Sequence, residues 1–214
     1  HNHRLSFHPG PFNILSSPKQ KVVEGSMIDL RIHGWIMDML GAPMNHKAKI
    51  NIHIGATYGD KASAVSRFIS NFEKLPDSVK CRLTLENDDK KNMYSTHDLY
   101  TMVHKRTRIP IVFDYHHHKF CNSQNLSEQE ALEMAMSTWS KDITPTCHYS
   151  ESAMLKENKK VVANAHSDFI YEKIEDYGNN VDIIVEAKKK EKALFKYFDN
   201  YGRGECAEIQ MCGW

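Results

Sequence analysis

The run Ile109-Pro110-Ile111-Val112-Phe113-Asp114 leads through Tyr115 into three consecutive imidazoles, His116, His117 and His118. Apolar residues around a β-branched pair predict a buried strand, and this one stops at a carboxylate followed by histidines. Asp114 and at least one of the histidines can meet at a point, an arrangement suited to a metal ion; taken alone, the run also reads as a solvated surface turn. The ending recurs, because other short apolar or alternating runs finish at or beside His8, His53, Glu86, His148 and Glu186. Imidazoles with carboxylates suit Mn²⁺, Zn²⁺, Co²⁺ or Fe²⁺, and are too rich in nitrogen for Ca²⁺ or a typical Mg²⁺ site. With about four ligands per ion, a donor set of this size with bridging carboxylates can hold two or three ions. Such a cluster fits phosphodiester hydrolysis, in which one ion acidifies the attacking water while others stabilise the non-bridging and leaving oxygens. Glu86, central in strand order, is the expected bridge between two ions.

These tips need strands, and the residues between them read as helices. Residues 4–8 alternate and stop at His8, since Pro9 cannot continue a ladder and Gly10 permits a tight turn. Residues 23–40 carry Met27, Leu30, Ile36 and Leu40 at helical steps, with Gly41 as the stop. Residues 49–56 form the next strand, and 61–74 an amphipathic helix with Ala64, Val65, Phe68, Ile69 and Phe72 on one side, closed by Pro76. A strand over 79–88, a helix over 96–106 capped by Thr96, a helix over 128–139 and a strand over 144–150 follow. Residues 156–161 read as a charged loop, 181–187 as a strand, 188–198 as a basic amphipathic helix and 200–214 as a loose tail. Alternating strands and helices without a doubly wound glycine signature predict an α/β fold with a parallel sheet. In a TIM barrel all strand carboxyl ends open onto one face. That geometry would gather His8, His53, Glu86, Asp114, His117, His148 and Glu186 into one pocket.

A chain of 214 residues, 41% apolar, can bury a substantial core in one domain, expected over 1–198 with a C-terminal tail at 199–214. It begins at His1 rather than methionine, as a trimmed piece of something longer would. A net charge of +1 gives no global field for nucleic acid, so any basic footprint must be local. Lys61, Arg67, Lys188, Lys189, Lys190 and Lys192 are candidates for phosphate contacts, although the last four also read as a solvated helix face. Tyr58, in the loop after His53, can stack on an extruded base or pack over the barrel mouth. No stretch approaches a membrane span. Five cysteines, an odd number with no CxxC pair, are expected to stay reduced in an intracellular compartment, cytoplasm or nucleus.

The motifs RLSFHPG, INIHIGATYGDK, RLTLENDD, IPIVFDYHHH, TPTCHYS, AHSDF and DIIVEAKKKEKAL, in this order, resemble the UV-damage endonuclease family, which cuts DNA on the 5′ side of ultraviolet photoproducts. The resemblance runs from the start to about Phe198. It implies a TIM barrel related to endonuclease IV, with two or three ions, Mn²⁺ as the usual activator (Zn²⁺ or Co²⁺ as alternatives) and damaged double-stranded DNA, including abasic sites, as substrate. It also implies that His8, His53 and Glu86 hold one ion, that Glu86, Asp114, His148 and Glu186 hold a second and act in catalysis, and that His117 with His166 holds a third. His116 and His118 would then be supporting or surface residues. The family usually begins with two further barrel strands, which this chain lacks; six strands leave parallel edges open, so a monomer is expected unless another segment or chain covers them. Where the family commonly carries Gln and Tyr after HPG, to probe the damaged bases, Pro11 and Phe12 stand here, and Thr146 replaces a lysine near the metals. Phe12 can wedge or stack, whereas Pro11 has no side-chain donor. A sugar isomerase of the xylose-isomerase kind and an inactive metal- or DNA-binding remnant of the barrel are the alternatives.

Overall fold

The computed structural model describes residues 3–158 and 160–202. Its frame is one parallel sheet in sequence order: β1 (Ser6–Phe7), β2 (Lys49–Ile52), β3 (Leu83–Glu86), β4 (Ile111–Asp114), β5 (Thr146–Tyr149) and β6 (Asp182–Val185). Each strand pairs with the next, and β1 and β6 are the two open edges of a half-barrel. The curl is tight enough to bring the His8 ring, just after β1, within 5.5 Å of the His148 ring on β5.

Period-two alternation explains both faces. Ile50 and Ile52, Leu83 and Leu85, Ile111 and Phe113, and Cys147 and Tyr149 face the helices and belong to one core. The alternate residues Asn51, Thr84, Glu86, Asp114, Thr146 and His148 are buried and polar, and hydrogen bonds such as Thr84 Oγ1 to Asn51 Oδ1 (2.9 Å) join them across strands. Apart from Val112, which packs with Trp139 and Ile143 in a small cluster of its own, these inward positions are polar, while the main apolar core lies under the helices. Each fully buried Leu, Ile or Phe there contributes roughly 1.5–3 kcal/mol of burial free energy.

The helices on the outside are α1 (Gln20–Met39), α2 (Lys61–Phe72), α3 (Asp77–Lys80), α4 (Thr96–Asp98), α5 (Lys105–Thr107), α6 (Tyr115–His118), α7 (Glu128–Met136), α8 (Ala153–Lys156) and α9 (Glu191–Tyr201). None of them is long and apolar enough to cross a membrane, among the described residues. Asp60 caps α2 by accepting from the Ser63 amide, and Ser95 rather than Thr96 caps α4, in a capping box with Asp98. A π-helical segment, Leu99–His104, joins α4 to α5, and Arg108 (φ 63°) ends the run before β4. Gly55 (φ +97°) turns the chain after β2, where a Cβ would meet Ile14 at 2.6 Å.

Several elements differ from the sequence reading. The strand expected over 79–88 is only Leu83–Glu86, because Val79 and Lys80 lie in α3 behind Pro76. Arg82, 1% exposed, turns out of the strand to bind Asp38 and the carbonyls of Ala42, Pro43 and Ser78. Lys188, Lys190 and the lysine between them form a turn rather than the start of a helix: Lys190 takes φ 48° and α9 begins at Glu191. That helix crosses the boundary expected at 198/199 and runs to Tyr201; the remainder of the expected tail, with Cys206 and Cys212, lies outside the described residues. Cys81, Cys121 and Cys147 are free thiols.

Candidate metal centre

The carboxyl ends of the strands meet around Glu86, the last residue of β3, which is 0% exposed. Its carboxylate lies 3.2 Å from His8 Nε2, 3.1 Å from His148 Nδ1, 3.3 Å from His117 Nδ1 and 3.8 Å from His53 Nε2. Asn51 donates to it from the neighbouring strand at 2.5 Å. Glu186, just past β6, lies 3.0 Å from His148 Nδ1. Among the described residues, three groups have ligand atoms within 4.8 Å of one another: His8, Glu86 and His148; His53, Glu86 and His117; Asp114, His148 and Glu186. Glu86 is common to two of them and His148 to two.

One helical turn sorts the three consecutive histidines. Asp114 Oδ1 caps α6 by accepting from the His117 amide at 2.7 Å. His117 then faces Glu86, and its Nδ1 donates to the Asn87 carbonyl at 2.9 Å, which leaves the Nε2 lone pair free for a ligand. His116 and His118, expected as supporting or surface residues, are both buried, with Nε2 bound to the carbonyls of Asn164 and Leu126 at 3.1 Å. Burial pushes the His116 imidazole down to about 4 and lowers His118 also. Both are neutral anchors of the loops around them.

Charge explains the remaining shifts. Burial alone would raise Glu86, but His148 and His53 overcome it and hold the carboxyl well below its usual range. Burial would likewise lower His148 and His53; Glu86 and Glu186 together outweigh it at His148, which stands well above 6.5, and Glu86, Asp88 and Asp114 together outweigh it at His53, which stands at about 9. Asp114 is raised by burial, helped by the Glu86 charge, whereas at Glu186 burial is outweighed by the hydrogen bond and charge of His148 together with the charge of His8, and the carboxyl is lowered. The hydrogen-bonding capacity of these groups is nevertheless not used up within the protein. Glu86 Oε1, Asp114 Oδ2, His53 Nδ1 and both ring nitrogens of His148 are buried without a well-aligned hydrogen bond. Nitrogen and oxygen donors converging with unsatisfied lone pairs fit divalent cations of the Mn²⁺, Zn²⁺ or Co²⁺ type.

The expected residues fall into three sets. His8, His53, Glu86, Asp114, His117, His148 and Glu186 come together, and the ligand atoms within 4.8 Å of one another set His53 beside His117 and His8 beside His148, each with Glu86. His166 lies at the rim, with Nδ1 3.8 Å from Glu186 Oε2 and its ring 6.3 Å from His117. Among the expected DNA contacts, Pro11 and Phe12 form a turn just beyond His8, with Phe12 83% exposed. Tyr58 (φ 54°) is half-exposed beneath the Arg67 guanidinium, 5.7 Å from its ring centre. Lys61 is committed elsewhere, to the Met93 carbonyl at 2.6 Å and Asp98 at 2.9 Å. Lys188 and Lys190 are exposed, and Lys189 pairs with Asp168 at 3.4 Å. Sequence reasoning missed Asn51, Asn87 and Asp88. Asp88 lies 3.3 Å from His53 Nδ1, and Asn87 exchanges two hydrogen bonds with the backbone of Asp114.

Comparison with known proteins leads the same way. The model of the UV-endonuclease UvdE family matches residues 1–212. The UV DNA damage endonuclease of Bacillus cereus (strain G9842) is 38% identical over 211 residues, covering 93% of this chain and 62% of that protein. That of Bacillus pumilus (strain SAFR-032) is 34% identical over 200 residues, covering 92% and 61%. The chain thus spans a little over three-fifths of the length of these relatives. A crystal structure of SacUVDE superposes with a TM-score of 0.77 at 32% identity, over 92% of this chain and 64% of that one. D-Psicose 3-epimerase from Clostridium cellulolyticum H10, at a TM-score of 0.50 and 15% identity over 68% of this chain and 51% of its own, shares the fold alone. Since the family model reaches across nearly the whole sequence and relatives above 30% identity align with nine-tenths of it, this chain belongs to the UV-endonuclease UvdE family.

Proposed function

We propose that the chain is the metal-bearing part of a DNA repair endonuclease that nicks damaged duplex DNA on the 5′ side of ultraviolet photoproducts and acts on abasic sites, with Mn²⁺ as its preferred ion. The observation that carries this reading is the convergence of imidazole and carboxylate groups from six successive strand ends on Glu86, with several of their lone pairs unsatisfied. His8, His53, Glu86, Asp114, His117, His148 and Glu186 would hold the ions, with His166 beside them at the rim. Bound there, divalent ions supply an acidified water and positive charge against the non-bridging and leaving oxygens of a phosphodiester.

The chain's own residues do the rest. Glu86 and Glu186 keep negative charge at the strand ends, and Asn51, Asn87 and Asp88 fix the orientation of the donors. Glu186, held as a carboxylate with its side chain 26% exposed, is the group at the mouth able to take a proton from water. Phe12 offers an aromatic wedge to a distorted duplex, and Pro11 contributes shape without a hydrogen bond. Lys188 and Lys190, exposed two and four residues beyond Glu186, would meet backbone phosphates.

The test is nicking of ultraviolet-irradiated supercoiled plasmid, compared with unirradiated and abasic plasmid, with Mn²⁺ and with chelator. Irradiation- and Mn²⁺-dependent nicking is expected. Mn²⁺ binding without nicking would favour an inactive remnant and overturn the reading.

A further inference from the structure

The two edge strands of the half-barrel carry a matched pair of residues at the end opposite the metal centre. Arg4 precedes His8 by four residues on the β1 side, and Asp182 precedes Glu186 by four on β6. No sheet ladder joins these strands, so their separation has to be set by side chains. The Arg4 guanidinium crosses the gap. It pairs with the Asp182 carboxylate, donates to the Thr144 carbonyl just before β5 at 2.8 Å, and reaches the carbonyls of His46 and Lys47 before β2 at 3.2 and 3.4 Å. One planar group with five donors can hold four acceptors from three directions, which an ammonium cannot do with the same geometry. The strand it anchors needs this, because β1 is two residues long, paired to β2 only through Ser6 and Phe7, with its other edge open.

We propose that Arg4 is a positioning residue for the metal centre: by tying the floor of β1 to β5 and β6, it fixes where His8 stands relative to Glu86 and His148. At about 3.3 Å per extended residue, the tie acts from about 13 Å below the imidazole. The strands that lead to His53, His148 and Glu186 also take part in the tie, but they are held by longer ladders, β2 to β3 through Ile50, Asn51 and Ile52 and β5 to β6 through Thr146–Tyr149, so loss of the tie should fall on β1 and on the ion shared by His8, Glu86 and His148.

The proposal rests on the reading of the strand ends as a metal site, and two readouts keep the claims apart. One is a Mn²⁺ titration followed by electron paramagnetic resonance; the other is the His8 imidazole signal in ¹⁵N NMR of the metal-free protein. Arg4→Ala should weaken one Mn²⁺ at least tenfold, the same ion that His8→Ala should weaken, leave the remaining Mn²⁺ within twofold, and move the His8 signal with the circular dichroism spectrum unchanged. The pair Arg4→Asp with Asp182→Arg should bind that Mn²⁺ at least fivefold more tightly than Arg4→Asp alone. Full Mn²⁺ affinity and an unmoved His8 signal in Arg4→Ala would overturn the proposal. If Arg4→Ala does not fold, folded Arg4→Lys decides in the same way: a shifted His8 signal supports the tie and an unshifted one refutes it. A parent protein that binds no Mn²⁺ would sink the metal reading, and the His8 signal alone would then judge the role of Arg4.

Discussion

Replacing Glu86 by glutamine removes one negative charge from the point where His8, His53, His117 and His148 meet, keeps the side-chain shape and still offers an oxygen to Asn51. In the metal-free protein the clearest effect falls on His53, which stands at about 9 instead of 6.5 because Glu86, then Asp88 and Asp114, outweigh its burial. The gap between those values corresponds to roughly 3 kcal/mol at 1.36 kcal/mol per tenfold. A raised imidazole contributes stability that is fully present below pH 6.5 and is lost as pH rises through about 9. Glu86→Gln should therefore destabilise the metal-free protein most at low pH and hardly at all above 9, and the His53 midpoint in an NMR titration should fall toward 6.5 or below. With metal the effect is larger, since Glu86 belongs to two of the three ligand groups. Two ions should weaken together, and nicking should fall at least 10³-fold, about 4 kcal/mol of activation free energy. A glutamine variant in which His53 still titrates near 9, Mn²⁺ stoichiometry is unchanged and nicking stays within threefold of the parent would refute the reasoning.

Three other outcomes follow from named residues. His46, pushed down to about 4 by burial, makes folding proton-linked with the opposite sign: its contribution is present above pH 6.5 and is lost as pH falls from 6.5 to about 4. His46→Gln should flatten that part of a urea-melt pH profile by up to about 3 kcal/mol, and an unchanged profile would count against a neutral buried His46. Phe12, 83% exposed, should tolerate alanine with a stability change within about 0.5 kcal/mol, yet cost about 1–3 kcal/mol of affinity for irradiated duplex if its ring stacks; equal affinity for parent and variant would remove the wedge. Replacing Lys188 and Lys190 by alanine should weaken DNA binding across all sequences and reduce the slope of log affinity against log salt by about 1 for each phosphate no longer neutralised; an unchanged slope would leave both lysines as solvated surface.

The strand ends were legible because a parallel barrel turns sequence position into spatial position: a histidine or carboxylate after an apolar run must stand at the mouth. That rule found His8, His53, Glu86, Asp114, His148 and Glu186 although they span most of the chain. Asn51 and Asp88 obey the same period, two residues from His53 and Glu86, and were missed because only the tips, not the whole inner face, were read as polar. Asn87 breaks the period; it acts through the backbone of Asp114, 27 residues away, which no local pattern announces. The three adjacent histidines look equivalent in sequence, and only the turn capped by Asp114, with carbonyl partners at Asn87, Asn164 and Leu126, sorts the one that faces Glu86 from two anchors. Lys61 read as a free cation because its partner Asp98 lies 37 residues on. The basic helix over 188–198 shortened because Lys190 adopts a left-handed backbone, which sets its neighbours on a turn.

Anomalous diffraction from crystals soaked in Mn²⁺ tests the central claim most directly. Two or three peaks are expected at the strand carboxyl ends, drawn from three places: beside His8, Glu86 and His148, beside His53, Glu86 and His117, and beside Asp114, His148 and Glu186. An empty mouth at saturating Mn²⁺, or peaks confined to exposed acidic side chains elsewhere, would contradict it.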